Sequence, residues 1–505
     1  MVQLILPVLD HENRKRDVIP PSLVQRGDPT IKRRQFRDVL LTLREVGHQL
    51  VSKQLSRNSL FAVCQSFVVT LCLFLAYRIA ISQVGLERLG VWSLLLAGAA
   101  VARIGDISGG GALARFVAKD SRTGRSQGAR NSVHTVLLTT FGFNCALGAI
   151  LWIVAPAALP HFIQYKYLGE AKLLMPFVVV SFVLSALASA VLSGVDGVQR
   201  ADQRALVVSI AALVFLCSNV ILIPYFGVLG FGVANILQQS TTLVLAWWAL
   251  RRHIPDLGWF PWHWKRAVFA ETTGYAIRLN AIGVMGLLFE PLTKFAFNHA
   301  SGPALVALYE LASRLVLQVR GLVIAAATPL VPAFAAGPNS DDPTFQRMLE
   351  TATRLAVWAA VGVAAVTLSA APVMSLLVLG RLSSELLQMI AALTAGWALN
   401  IVVVPSYYAA QALGVLRWNF ASHALIAISV LAGIFLLVPL VGQNGIIVAI
   451  IVGLTLSMLT VLFGNAHALG TAAIVRRLRW QLLTASAAVS LLALAAWILA
   501  GLVGL

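Results

Sequence analysis

The chain is 505 residues long, 59% hydrophobic and only 11% charged, where a soluble globular domain carries about 25% charge. That composition excludes an ordinary cytosolic enzyme. A disordered chain and a disulfide scaffold are excluded too, since Cys64, Cys72, Cys145 and Cys217 all sit in apolar runs without CxxC or metal-ligand spacing. The net charge of +18 raises the question of nucleic acid, but the basic residues are spread over many loops instead of forming one patch, so no nucleic-acid partner is expected.

Residues 1–57 form a tail with 11 Lys+Arg and 6 Asp+Glu. Its one early apolar run, Met1 to Leu9, is short and followed by Asp10, Glu12, Arg14, Lys15 and Arg16, unlike a cleavable signal. Further on, Phe36, Val39, Leu40, Leu43, Val46, Leu50, Val51 and Leu55 recur at steps of three and four. This spacing predicts an amphipathic helix over about 36–55 on a membrane surface; a solvated helix or a partner-binding arm are the other readings.

Apolar runs long enough to cross a ~30 Å hydrocarbon core follow near 58–80, 89–110, 132–155, 173–195, 205–223, 227–249, 269–290, 303–334, 355–379, 386–409, 416–439, 444–465 and 481–504. The expected fold is therefore an all-α polytopic membrane protein of about thirteen spans, the eighth long enough to tilt or kink. With the tail counted as cytoplasmic, 28 Lys and Arg fall on its side of the membrane. Only six, Arg78, Arg88, Lys166, Lys172, Lys294 and Arg381, fall on the other. The positive-inside rule then places the N-terminus in the cytoplasm and, after thirteen crossings, the C-terminus outside.

An internal repeat underlies the hydropathy. Leu222 to Ala234 (LIPYFGVLGFGVA) matches Leu437 to Ala449 (LVPLVGQNGIIVA). Gly197 to Arg200 (GVQR) matches Gly414 to Arg417 (GVLR), and Trp92 matches Tyr309, both at one interval that is nearly the same as the first. That interval contains six spans, an even number, so both copies share one orientation and are expected to form two six-helix bundles related by an axis along the membrane normal. The chain then divides into the tail (1–57), a first bundle (58–250), a cytoplasmic linker (251–268), a second bundle (269–465) and a basic loop with an additional helix (466–505).

Four cations remain inside spans: Arg103, Arg278, Arg314 and Arg320. Each costs about 2.5 to 3.5 kcal/mol at a helix centre, so they are expected to face protein or water. The acids in or near the same spans are Asp106, Glu271, Glu290 and Glu310. Helical spacing puts Arg103 with Asp106 on one face, Glu310, Arg314 and Gln318 on another, and Glu271, Tyr275 and Arg278 on a third. Local charge pairing explains part of this pattern, and the carboxylates leave room for coupling to a proton or sodium gradient. Arg320 has no acid three or four residues away, and it follows Arg103 by the interval that separates Tyr309 from Trp92, at the equivalent place in the repeat. A pseudo-twofold axis would bring these two arginines toward a common cleft in the cytoplasmic part of the membrane. There they would suit an anionic ligand such as a lipid pyrophosphate, with Arg278 and Arg314 as further substrate-binding candidates. Snorkelling to leaflet phosphates is the alternative.

No GxxxxGK[ST] and no HExxH occurs, the loops expected outside are short, and neither a cofactor nor an enzymatic activity is expected. Gly90 to Phe116 (GVWSLLLAGAAVARIGDISGGGALARF) resembles the second span of bacterial polysaccharide-biosynthesis flippases of the multidrug/oligosaccharidyl-lipid/polysaccharide exporter superfamily. Leu308 to Ala333 is similar to that family's Tyr-containing helix with a proline near its inner end. The resemblance covers roughly Leu60 to Gly464. It departs from the family in its count of thirteen spans where twelve or fourteen are usual, in its long basic tail, and in Ala112 and Leu113 intervening between the glycine run and Arg115. It implies two bundles that move an undecaprenyl-pyrophosphate-linked oligosaccharide from the inner to the outer leaflet of the bacterial inner membrane, with a periplasmic C-terminus. Expected partners are the lipid-linked glycan, membrane lipids and polysaccharide polymerase or assembly proteins. A cation-coupled small-molecule exporter on the same fold is the alternative, and a polysaccharide polymerase or ligase a third reading.

Overall fold

The computed structural model describes residues 53–103, 110, 113–122, 126–327, 330–335, 340 and 342–503. Two compact units divide the chain, Met1–Ala62 and Val63–Leu505. In the first, residues 53–62 are helical; the expected tail helix over 36–55 lies almost wholly outside the described residues.

In chain order the helices of the second unit are α1 (Cys64–Val84), α2 (Leu86–Arg103), α3 (Leu113–Arg122), α4 (Ser126–Phe162), α5 (Tyr165–Gly197), α6 (Ala201–Phe226), α7 (Val228–His253), α8 (Arg266–Ser301) and α9 (Pro303–Ala327). They continue as α10 (Leu330–Ala335), α11 (Pro343–Leu379), α12 (Ser384–Ile401), α13 (Val404–Ala412), α14 (Arg417–Leu436), α15 (Gln443–Ala468) and α16 (Ala472–Val503). Among the described residues nine helices are apolar and long enough to cross a membrane, and α12 with α13, bent by 44°, makes a tenth crossing. The three remaining crossings are α2, α8 and α9, the spans that carry the intramembrane charges. Thirteen crossings result, arranged as two six-helix bundles with α16 appended against α11 and α12.

Local chemistry marks the helix starts. The Asp342 carboxylate accepts from the Thr344 backbone N–H at 2.6 Å ahead of Pro343, and the Ser383 hydroxyl accepts from Leu386 N–H at 3.3 Å. Helices α4, α5, α6, α8 and α11 each carry proline in their interior, where it removes a helical hydrogen bond.

One side of the molecule carries the tight connections after α1, α4, α6, α8 and α11, and we call it the short-turn face; the opposite side, where the longer arginine-rich connections lie, is the basic face. The repeat is visible in backbone detail. Gly227 (φ 56°, ψ −134°) and Gly442 (φ 58°, ψ −141°), matched by the duplication, make the same turn in a conformation that disfavours any side chain. Three residues on, Gly230 lies against the Leu222 backbone and Gly445 against that of Leu437, again an equivalent pair. Trp92 and Tyr309 are both 2% exposed and both pack on aromatic rings, Phe231 at 5.9 Å and Phe297 at 5.2 Å between centroids. The largest apolar core joins the two halves, and each bundle adds a smaller core of its own.

The halves meet most closely where α2 passes the start of α9. A Cβ built on Gly90 would lie 1.7 Å from the Pro303 carbonyl oxygen, backbone against backbone. Gly90→Val should therefore force the two helices apart at the short-turn face. A thermal melt of the purified protein checks this, with a large fall in melting temperature expected and a wild-type melt contradicting the close approach.

Two expectations are corrected. Lys294, read as a loop cation, lies inside α8 and is 4% exposed, because two carboxylates hold its ammonium within the protein. Residues around Arg115, read as a loop, form the amphipathic helix α3, whose Leu113 and Val117 are fully buried while Arg115 and Lys119 face outward.

Candidate substrate cleft and the charged seam beside it

Glu310, on α9, is the centre of a buried cluster near the short-turn face. Its Oε2 accepts from Lys294 Nζ at 2.5 Å and from Ser93 Oγ at 3.0 Å; its Oε1 accepts from Arg314 Nε at 2.8 Å and from the Tyr77 hydroxyl at 3.4 Å. Four donors match the four acceptor positions of an ionised carboxylate. Lys294 also reaches Glu290 at 2.7 Å, so Glu290, Lys294, Glu310 and Arg314 form a ladder of two acids and two bases. All four belong to α8 and α9 of the second half, while the first half contributes only the hydroxyls of Tyr77 and Ser93. Lys294 and Glu310 are each 4% exposed, so their mutual neutralisation is what lets them stay inside the membrane.

Ser93 and Glu310 are 217 residues apart, the same interval as Trp92 and Tyr309. Two equivalent positions that touch each other lie on the pseudo-twofold axis, and here they mark its passage through the seam. Below this point α2 and α9 change character toward the basic face. Leu89 to Leu95 and Leu305 to Val316 are largely buried, whereas Val101, Leu317 and Leu322 are about two-fifths exposed.

Arg103 and Arg320 occupy that more accessible stretch, and their settings repeat. The Arg103 guanidinium lies 5.4 Å from the Phe182 ring centroid and donates to Ser185 Oγ. The Arg320 guanidinium lies 4.7 Å from the Trp397 ring centroid, and its Nη2 donates to Asn400 Oδ1 at 3.1 Å. Phe182 and Trp397 stand at the interval that separates Gly227 from Gly442, and so do Ser185 and Asn400. Each bundle thus holds its arginine on an aromatic of its fourth crossing and steadies it with a polar residue one turn further along. Arg320 Nε is buried without a protein partner among the described residues. A planar guanidinium anchored on a ring keeps a rigid fork of donors suited to phosphate oxygens.

The other sequence candidates separate. Arg314 joins Glu310 in the seam, and so does Glu290. Glu271 is exposed and pairs with Lys119 of α3 at 3.5 Å. Asp106 lies outside the described residues, as does the side chain of Arg278. Sequence reading missed Lys294, Tyr77 and Ser93. The placement of Glu290 and Lys294 one helical turn apart in an apolar run was the available signal for Lys294, and the repeat interval was the available signal for Ser93.

The fold defines the class: this is a multi-pass membrane protein of two repeated helical bundles. The chain matches the family model described as polysaccharide biosynthesis protein over residues 126–388 and belongs to that family. Among solved structures it is similar to an inward-facing multidrug resistance MATE family transporter of the MOP superfamily, at 14% identity, TM-score 0.66, over 83% of this chain and 99% of that one. It is similar to the lipid II flippase MurJ in an inward closed conformation, at 12% identity, TM-score 0.60, over 88% and 98%. A MOP superfamily transporter from Pyrococcus furiosus matches at 16% identity, TM-score 0.58, over 82% and 96%. The TM-scores establish a shared fold, and at these identities the likeness extends to the fold alone. A comparison with curated proteins found no match.

Proposed function

We propose that the chain is a flippase that moves an undecaprenyl-pyrophosphate-linked oligosaccharide from the cytoplasmic to the outer leaflet of the bacterial inner membrane, for O-antigen, exopolysaccharide or a related glycan, by alternating access between its halves. The matched arginine pair carries this reading. Arg103 is the last residue of α2, which begins at Leu86, and Arg320 holds the same position in α9 counted from Pro303. At ~1.5 Å per residue that is about 26 Å from the short-turn face, near the headgroup plane of the opposite leaflet. A lipid-linked pyrophosphate lies at that plane while its polyprenyl chain stays among the lipids, so one arginine from each bundle at that depth suits the anion where it arrives. The family membership supports a polysaccharide precursor as cargo.

The orientation follows from charge. With Lys294 removed from the loop tally, five cations remain near the short-turn face, against the many of the basic face, which the positive-inside rule makes cytoplasmic. Coupling to a proton or sodium gradient enters at Glu290, whose carboxylate is half exposed; Glu310 has all its acceptor positions occupied. The test is reconstitution into liposomes with a fluorescent polyprenyl-pyrophosphate glycan, scoring exposure to a membrane-impermeant reductant with and without an ion gradient. Protein-dependent exchange of the glycan lipid is expected. Export of small cations without any movement of the lipid would overturn the reading in favour of a multidrug-type exporter.

A further inference from the structure

Residues 254–265, between α7 and α8, connect the two bundles on the basic face, and they are not a loose tether. Leu257 is fully buried, and its carbonyl oxygen lies 2.7 Å from His134 Nε2 of α4. Ser126 Oγ donates to Asp256 at 2.7 Å, Lys265 N–H donates to Thr135 Oγ1 at 3.1 Å, and Trp264 Nε1 donates to Thr139 Oγ1 at 3.2 Å. The connection is therefore a strap fastened along α4 of the first bundle. Despite this fastening it turns large aromatics outward. Trp259 is 71% exposed, Phe260 63% and Trp262 78%. Three of the twelve tryptophans of the chain, Trp259, Trp262 and Trp264, fall within these twelve residues, and Trp248 lies just before them in α7.

Cations surround the aromatics. Arg251 stacks on Trp259 at 3.7 Å from the ring centroid and Arg252 on Trp248 at 3.4 Å, while Lys265 and Arg266 close the strap at its other end. Asp256 is the one acid between residues 251 and 266, and Ser126 holds it. Depth follows from continuity, because the strap begins where membrane-spanning α7 ends and finishes where α8 starts. Amphipathic rings at a helix end prefer the headgroup level, and each Arg or Lys near an anionic leaflet adds attraction that a neutral leaflet does not supply.

We propose that the strap is a lipid-binding element that docks on the anionic phospholipid headgroups of the basic-face leaflet. Its rings wedge among glycerol and headgroup atoms, and Arg251, Arg252, Lys265 and Arg266 contact phosphates. This site is separate from the arginines of the cleft, and it holds whatever the transported molecule is.

The experiment uses the full chain in nanodiscs of phosphatidylcholine alone or mixed with phosphatidylglycerol. Retained lipid is counted by native mass spectrometry, and tryptophan quenching is read with a phospholipid brominated close to its headgroup. Wild type should retain phosphatidylglycerol in preference to phosphatidylcholine. Arg252→Gln/Arg266→Gln should lower that preference by about fivefold for each cation removed. Trp259→Ser/Trp262→Ser should lose a large share of the quenching at an unchanged melting temperature. Either double variant suffices if the other is poorly folded. Wild-type lipid preference and quenching in a folded variant would overturn the proposal, as would wild-type emission from water-exposed rings. So would burial of the strap against a co-purifying protein, which would make it a protein docking surface.

Discussion

Replacing Arg103 or Arg320 by alanine should lower lipid-linked glycan flipping at least about tenfold, the effect of losing one charge-assisted contact of about 1.5 to 3 kcal/mol, with abundance near wild type. Each guanidinium lies on a ring of its own bundle, Phe182 or Trp397, and donates to a polar side chain there, Ser185 or Asn400. In the proposed clamp, removing either would leave the pyrophosphate gripped from one side, and closure around the anion would lose its differential interaction with the two states. Lysine at either place should recover part of the activity, because an ammonium restores charge without the planar fork or the ring stacking. Flipping measured in membranes normalised for protein content decides the matter: near wild-type rates for both alanine variants would sink the pyrophosphate clamp.

Lys294→Met should be the most destabilising single change in the seam. It leaves Glu310 buried with Arg314 as its one remaining cation and strands Glu290, and removal of one partner from a buried pair costs about 3 to 5 kcal/mol. Lys294→Met/Glu310→Gln should be more stable than Lys294→Met alone, since the second change removes the charge the first left uncompensated. Thermal melting of the two single variants and the double variant in detergent reads the coupling. Additive losses would show that the 2.5 Å contact contributes little.

The duplication was legible in the sequence because short turns depend on few residues: the glycines at 227 and 442 impose the same backbone on both copies whatever surrounds them. The equivalence of Arg103 and Arg320 followed from that repeat alone. What surrounds them did not, because Phe182 and Trp397 are different residue types on a crossing distant in the chain. Lys294 was misplaced for a related reason. A lysine in an apolar run reads locally as the end of a span, and the carboxylate that keeps it inside, Glu310, lies on the next helix. The strap shows the opposite balance. Its tryptophans are plain in the sequence, but the hydroxyls of Ser126, Thr135 and Thr139 that fasten it are ordinary residues of an apolar helix.

The one-sidedness of the seam bears on how membrane voltage acts on the proposed cycle. When the halves part at the short-turn face, Glu310 gives up the hydroxyls of Tyr77 and Ser93 and keeps both of its cations. Moving one elementary charge through a full 100 mV drop is worth about 2.3 kcal/mol, but the ladder of Glu290, Lys294, Glu310 and Arg314 sums to zero and travels as one body. While Glu290 stays ionised, the ladder itself therefore contributes no gating charge to the parting of the seam, and voltage can act on that step only through Glu290 or through charges outside the ladder, such as Arg103 and Arg320.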